Sequence, residues 1–218
     1  MSDQRLRDLE RRWKSSGSID DEAAYLIERV RVGNLSNKMI QILLLCDHPA
    51  TCNAFPVDHE MASSTTDSWL QALYAHSTDS MVRAAIACGR SMLPLPRTNL
   101  AHVIVTACID HVIEPTIEKK NLILTLARDL NSLYNNAEGE DAWHMHQDGA
   151  FDALIVMAET ISLTYSGSQP LRTVYVNAAD SKGDETIIAA IKSDLIAWAL
   201  GNDPLPALLT RLKSETTE

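Results

Sequence analysis

The chain reads as an all-α protein: about ten short-to-medium helices in an antiparallel bundle or an irregular array of helical hairpins. Three observations predict this. Apolar residues recur at three- and four-residue spacing almost throughout. Gly, Pro and Ser turn signals separate these stretches, and only one short segment has the composition of a strand. Hydrophobic residues make up 45% of the chain and charged residues 22%, enough apolar surface for a packed core.

The elements follow in order. Leu6, Leu9 and Trp13 form an apolar stripe that Ser15-Ser16-Gly17 ends. Ser18 or Asp20 can cap a second helix, with Ile19, Ala23, Leu26, Ile27 and Val30 on its inner face and Gly33 at the position after its last turn. Ser36 can cap a third, running through Ile40, Leu43 and Leu44. These three read as an N-terminal unit, residues 1–46, with antiparallel neighbours. Pro49, Asn53 and Pro56 mark residues 47–58 as a loop. A helical body over 58–212 follows, the whole forming a single domain of 218 residues.

Within that body a helix is expected near 58–75, carrying Trp69 and Leu73. The next, capped in the 77–80 region, presents Val82, Ala85, Ile86, Gly89 and Leu93 until Pro94 and Pro96 stop it. Leu100, Val103, Ile104, Ala107, Cys108 and Val112 make another. Pro115 suits the first residue of the helix after it, with Leu122, Leu126, Leu130 and Leu133 as its stripe. Residues 139–165 are helical through Phe151, Leu154, Ile155, Ala158 and Ile161. Thr173-Val174-Tyr175-Val176 is rich in β-formers but has no partner strand, so a helix is expected there. Ile187, Ile188, Ile191, Leu195 and Trp198 form the last strong stripe, closed by Gly201 and Pro204. Ala87-Cys88 and Ala107-Cys108 recur without further similarity, so no internal repeat is established.

Composition narrows the function. Acids outnumber bases 29 to 19, for a net charge of -10, which argues against nucleic-acid binding, since phosphate contacts need clustered Lys and Arg. The basic residues near the start (Arg5, Arg7, Arg11, Arg12, Lys14) alternate with Asp3, Asp8 and Glu10, the pattern of a solvated helix face. No apolar stretch approaches the ~20 residues of a membrane span, and the charged first residues carry no secretory leader. A cytoplasmic protein is expected. Cys46, Cys52, Cys88 and Cys108 have no metal-binding spacing and no disulfide framework.

The candidate chemistry is sparse. His144, His146 and Asp148, beside Trp143, could supply metal ligands. Residues two apart on a helix point about 200° from each other, however, so both histidines need a local break to face one ion. Cys46-Asp47-His48 and Cys52 surround a loop but lack an orienting third group. His111 lies on an apolar helical face, suited to a core or a groove. Asp20-Asp21-Glu22 and Glu138-Gly139-Glu140-Asp141 suit helix N-termini. Trp13, Trp69, Trp143 and Trp198 are spread as single core anchors. No catalytic residue, metal site or cofactor is assigned, and no enzyme activity is expected.

Leu9-Glu10-Arg11-Arg12-Trp13, Asp21-Glu22-Ala23-Ala24-Tyr25-Leu26, Glu28-Arg29-Val30-Arg31 and Gly33 with Leu35 together resemble the helical repeat-companion module of uncharacterised myxobacterial and planctomycete proteins. The likeness covers residues 6–45. Val82-Arg83-Ala84-Ala85 through Leu93-Pro94, and the stretch from Ile191 to Gly201, are similar to a helical family of bacterial immunity proteins. The resemblance implies a bacterial helical protein without an enzymatic motif, acting as adaptor, regulator or inhibitor in a defence or toxin–immunity system. It carries over no functional residues.

The leading expectation is therefore a non-enzymatic protein–protein interaction protein, whose acidic surface suits a basic partner. Partner contact is expected at His111 and Trp198, with an apolar groove between the helices at 78–94 and 99–112 or along the last helix. The alternative is a small metal-dependent hydrolase using His144, His146 and Asp148.

Overall fold

The computed structural model describes residues 2–56, 65–93, 99–136, 150–162 and 169–215, and among them every regular element is helical. The twelve helices are α1 (Ser2–Ser16), α2 (Ile19–Arg31), α3 (Asn37–Leu45), α4 (Pro49–Ala54), α5 (Thr66–His76), α6 (Thr78–Met92), α7 (Asn99–Ile113), α8 (Ile117–Asn135), α9 (Ala150–Ile161), α10 (Gln169–Lys182), α11 (Asp184–Ala199) and α12 (Leu205–Glu215). The segment around Thr173–Val176 lies inside α10.

Hydroxyl side chains start the helices. Ser18, Ser36, Ser77 and Thr116 each accept the backbone N–H three residues on. Thr65 and Ser68 exchange bonds reciprocally in a capping box. Gly33 and Gly201 end α2 and α11 at positive φ. In each case the glycine N–H and the next N–H reach back to free carbonyls, Val30 and Arg29 in one helix, Trp198 and Ala197 in the other. After α3 the same role falls to Asp47, with φ 56, a conformation Asp tolerates better than most residues. Lys192 Nζ holds its carboxylate at 2.6 Å.

Several expectations are corrected. Residues 47–58 hold a short helix, because Pro49 occupies its first turn, where the missing N–H has no intrahelical bond to make. Pro115 precedes α8 rather than opening it, since Thr116 takes the capping position. Among the N-terminal helices, α2 packs on α1 and α4, while α3 packs mainly on α11 and α5. An unforeseen twelfth helix, α12, lies against α7.

Helix α6 is the centre of the fold, touching α5, α7, α9, α10 and α11. Ala84, Ala85, Ala87 and Gly89 let those neighbours approach closely, and Met81, Ile86, Cys88 and Met92 fill the spaces between them. The expected groove between residues 78–94 and 99–112 is not open, because α9 packs against both α6 and α7. One continuous apolar core runs from Ala23 on α2 to Leu212 on α12. No helix among the described residues is long and apolar enough to cross a membrane.

Candidate interaction surface

Two helices carry more apolar side chains than the core takes in. On α8 the buried face is Ile123, Leu126, Ala127 and Leu130, so the inner stripe is set one residue around from the expected one. Leu122 and Leu133 are left 49% and 40% exposed. On α7 the core takes Ala101, Ile104, Val105, Cys108 and Ile109, leaving Val103 exposed. At the α7–α8 turn Ile113 and Ile117 face solvent, the latter 62% exposed. Single exposed leucines are ordinary. Here five of the nine large exposed hydrophobics among the described residues lie on one helical hairpin.

His111 belongs to this hairpin. It is half-buried on α7, and its Nδ1 is buried with no hydrogen-bond partner among the described residues. Burial, with Lys119 and Lys120 nearby, holds its pKa below the ordinary 6.5. Lys119 Nζ ties the hairpin at Glu114 (2.8 Å) and Asp110 (3.4 Å), and Lys213 of α12 reaches Asp110 at 3.3 Å.

Trp198 sits elsewhere and is already engaged. The Arg83 guanidinium lies 4.4 Å from its ring centre and donates two hydrogen bonds, of 2.7 and 2.8 Å, to Asp203. Asp203 also accepts the Leu205 N–H at the start of α12. Burial pushes the Asp203 carboxyl up, but the bonds from Arg83 and Leu205 outweigh it and hold the pKa below the usual range. Seven residues along α6, Arg90 reaches Asp194 of α11 at 3.1 Å. Asp194 is buried, which raises its pKa, and its Oδ2 has no hydrogen-bond partner among the described residues. Arg83, Arg90, Asp194 and Asp203 form a polar seam joining α6 to α11 and α12. Sequence reading missed it, although Asp194 falling at the edge of the apolar stripe was a signal.

The remaining candidates divide by burial. The thiols of Cys46 and Cys88 are buried and pushed up to about 12, and Cys108 is raised by the same burial. Such thiols are poor nucleophiles. Cys52 is exposed, yet its pKa is also raised. His48 Nδ1 lies 2.9 Å from Thr51 Oγ1, and its Nε2 lies 3.6 Å from Glu22. That line of groups is largely shielded, Thr51 having no exposed surface, and it joins α2 to α4. Trp69 is a core anchor whose Nε1–H donates to the Leu45 carbonyl at 2.7 Å. His144, His146, Asp148, Trp143 and the acidic run at 138–141 lie outside the described residues. Among those described, no three His, Cys, Asp or Glu side chains gather as a metal site.

A pH dependence follows from buried His48 and half-buried His111. Burial lowers the pKa of both His48 and His111 from 6.5. A base that is harder to protonate when folded contributes stability above its unfolded pKa and loses it as pH falls through the folded value. Urea midpoints should therefore drop between pH 7.5 and 5.5, and His48→Gln with His111→Gln should flatten that drop. An unchanged slope in the double variant would reject the assignment. Asp21 and Glu28, whose pKa values are lowered by hydrogen bonds from Arg12 and Arg31, act only below about pH 4.

No family model, curated protein or solved structure matches the chain.

Proposed function

We propose that the chain is a non-enzymatic interaction protein, an adaptor, regulator or inhibitor, that holds a protein partner against the α7–α8 hairpin. The observation that carries this reading is the set of five exposed apolar side chains there: Val103, Ile113, Ile117, Leu122 and Leu133. Leaving them in water forgoes burial that would contribute about 25 cal/mol per Å2, and a partner that covers them recovers it. His111 supports the same surface, because a partner donor or acceptor near its ring can satisfy Nδ1 where the fold does not. Trp198 is a weaker anchor than the sequence implied, since Arg83 already occupies a face of its ring.

The partner is expected to present a basic surface, complementary to a net charge of -10. The setting that belongs to this proposal is bacterial defence or toxin–immunity, in the cytoplasm. Affinity capture of the tagged chain from its native extract, read by mass spectrometry, tests it. A single stoichiometric partner should be retained by the natural chain. With Ile117→Ser, Leu122→Gln and Leu133→Gln combined, retention should fall at least tenfold, the equivalent of about 1.4 kcal/mol, with an unchanged melting curve. Equal retention by both chains would remove the hairpin from the reading, and no partner at all would count against the interaction role.

A further inference from the structure

A second surface emerges from how α1 is attached. Helix α1 packs substantially on α2 alone and is joined to it through Gly17, which holds a φ of 63 with open space around its Cα. Its three apolar side chains, Leu6, Leu9 and Trp13, are only half-buried. The contact they make is unlike the core. Trp13 stacks on Tyr25 with ring centres 5.3 Å apart and planes 18° apart. Arg12 Nε donates to Asp21 at 2.5 Å, and Arg5 Nε lies 3.5 Å from Glu28. The two arginines are seven residues apart on α1, and the two carboxylates are seven apart on α2. The helices run antiparallel, so the pairs form a two-rung ladder with the aromatic stack beside it.

Helix α2 thus has two different faces. Ala23, Leu26 and Val30 pack into the body of the protein. Asp21, Tyr25 and Glu28 meet α1 instead, and the two carboxylates are buried although the α1 arginines beside them are 70% and 66% exposed; Glu28 is held as well by Arg31 of its own helix, whose Nε donates to it at 2.8 Å. Arg, Trp and Tyr with paired charges is the composition of an interface between proteins more than of an interior. Ion pairs with partners this exposed hold weakly and are screened by salt. Hence the attachment of α1 is one that salt and a competing helix can loosen.

We propose that the Asp21–Tyr25–Glu28 face of α2 is a docking site for a partner's basic amphipathic helix, which α1 covers in cis and yields by displacement. Helix α1 defines what fits: two guanidinium groups seven residues apart, with an apolar residue between them and an aromatic one beside the second. A helix of 15 residues, about 22 Å long, spans the face, and recognition is of the helix-on-helix kind. The geometry also makes the site self-regulated. A partner must outcompete a tethered helix, so its apparent affinity is reduced by the fraction of time α1 is bound.

The test uses the full chain and a fluorescein-labelled peptide of residues 2–16, followed by anisotropy. With Arg5→Gln and Arg12→Gln in the chain's own α1, the peptide should bind about tenfold more tightly than to the natural chain, because the competing arm is weakened. The same two substitutions placed in the peptide leave the protein untouched and should abolish its binding. Raised salt should release it. Peptide binding that ignores its own arginines, or that is equal for both chains, overturns the proposal. So does a concentration-dependent dimer that forms through exchanged α1 helices, which would make a second copy the occupant. These outcomes are separate from the hairpin test. A captured partner that survives Asp21→Asn with Glu28→Gln but is lost with the α8 substitutions would place its binding on the hairpin and not here.

Discussion

Replacing Arg90 by methionine is expected to lower the unfolding free energy by about 3 kcal/mol, one of the largest losses from any single change outside the apolar core. Arg90 and Asp194 are both largely shielded, with side-chain exposures of 26% and 10%. Arg90 donates to Asp194 Oδ1, and among the described residues Oδ2 has no hydrogen-bond partner. Methionine fills a similar volume and keeps the packing between α6 and α11, so the cost isolates the abandoned carboxylate. For a chain of this size it corresponds to a melting temperature about 6–10 °C lower. The pH dependence identifies the cause. Burial already raises the Asp194 pKa, and removing the cation raises it further. An acid whose folded pKa lies above its unfolded value loses stability as pH rises through that window. The deficit of the variant should accordingly shrink as pH is lowered from 7 toward 4. Adding Asp194→Asn should recover most of the loss at pH 7, because it removes the buried charge. A deficit that is the same at every pH, or that Asp194→Asn fails to relieve, would show that Arg90 acts through packing.

A loss of similar size is expected from Gly89→Val. Gly89 sits in the interior of α6, where an alanine would ordinarily favour the helix by about 1 kcal/mol. A Cβ at this position would run into Met157 Sδ of α9, far inside contact distance. Met157 is fully buried, so its side chain cannot swing into solvent. Valine adds two further methyl groups to a site that lacks room for one, and overpacking of this kind costs about 3 kcal/mol. Met157→Ala alone should cost about 2–4 kcal/mol through the cavity it leaves. Combined, the two substitutions compensate in volume. Chemical denaturation of the four chains should give a double variant more stable than the sum of the single losses predicts, by about 1 kcal/mol or more. Strict additivity would mean that the close approach of α6 and α9 does not depend on this glycine.

Both experiments bear on function through the same frame. Helix α9 closes α6 and α7 from one side, and the seam of Arg83, Arg90, Asp194 and Asp203 closes α11 and α12 onto α6 from another. With those faces consumed by the fold, the outer side of the α7–α8 hairpin and the α1–α2 contact are where the surface departs from ordinary globular composition. One departs by exposed apolar side chains, the other by an acidic and aromatic face covered by a half-buried helix. The described thiols divide by burial: Cys46, Cys88 and Cys108 are enclosed and raised in pKa by it, while Cys52 is exposed.

What the sequence determined by itself was local. Helical periodicity identified the class, and the serines at 18, 36 and 77 marked helix starts because capping needs only a hydroxyl and the next turn's N–H. Gly33 and Gly201 marked ends because positive φ is a property of the residue. Cys88 and Cys108 were legible as buried for the same reason, by position in an apolar stripe. The rest depended on which elements meet. Ile19, Ile27, Leu122 and Leu133 were assigned to inner faces and lie outside, since a stripe two or three residues wide can be turned by tens of degrees when its neighbours are placed. Residues 47–58 read as a loop because two prolines outweighed the short run between them, yet packing against α2 pays for one and a half turns of helix. Asp21, Glu28 and Asp194 look like surface residues in any window of sequence. Only the tertiary structure brings Arg12 to Asp21 and Arg90 to Asp194, and adds Arg5 to the Arg31 that already pairs with Glu28 within α2; pairing between helices leaves no periodic trace along the chain.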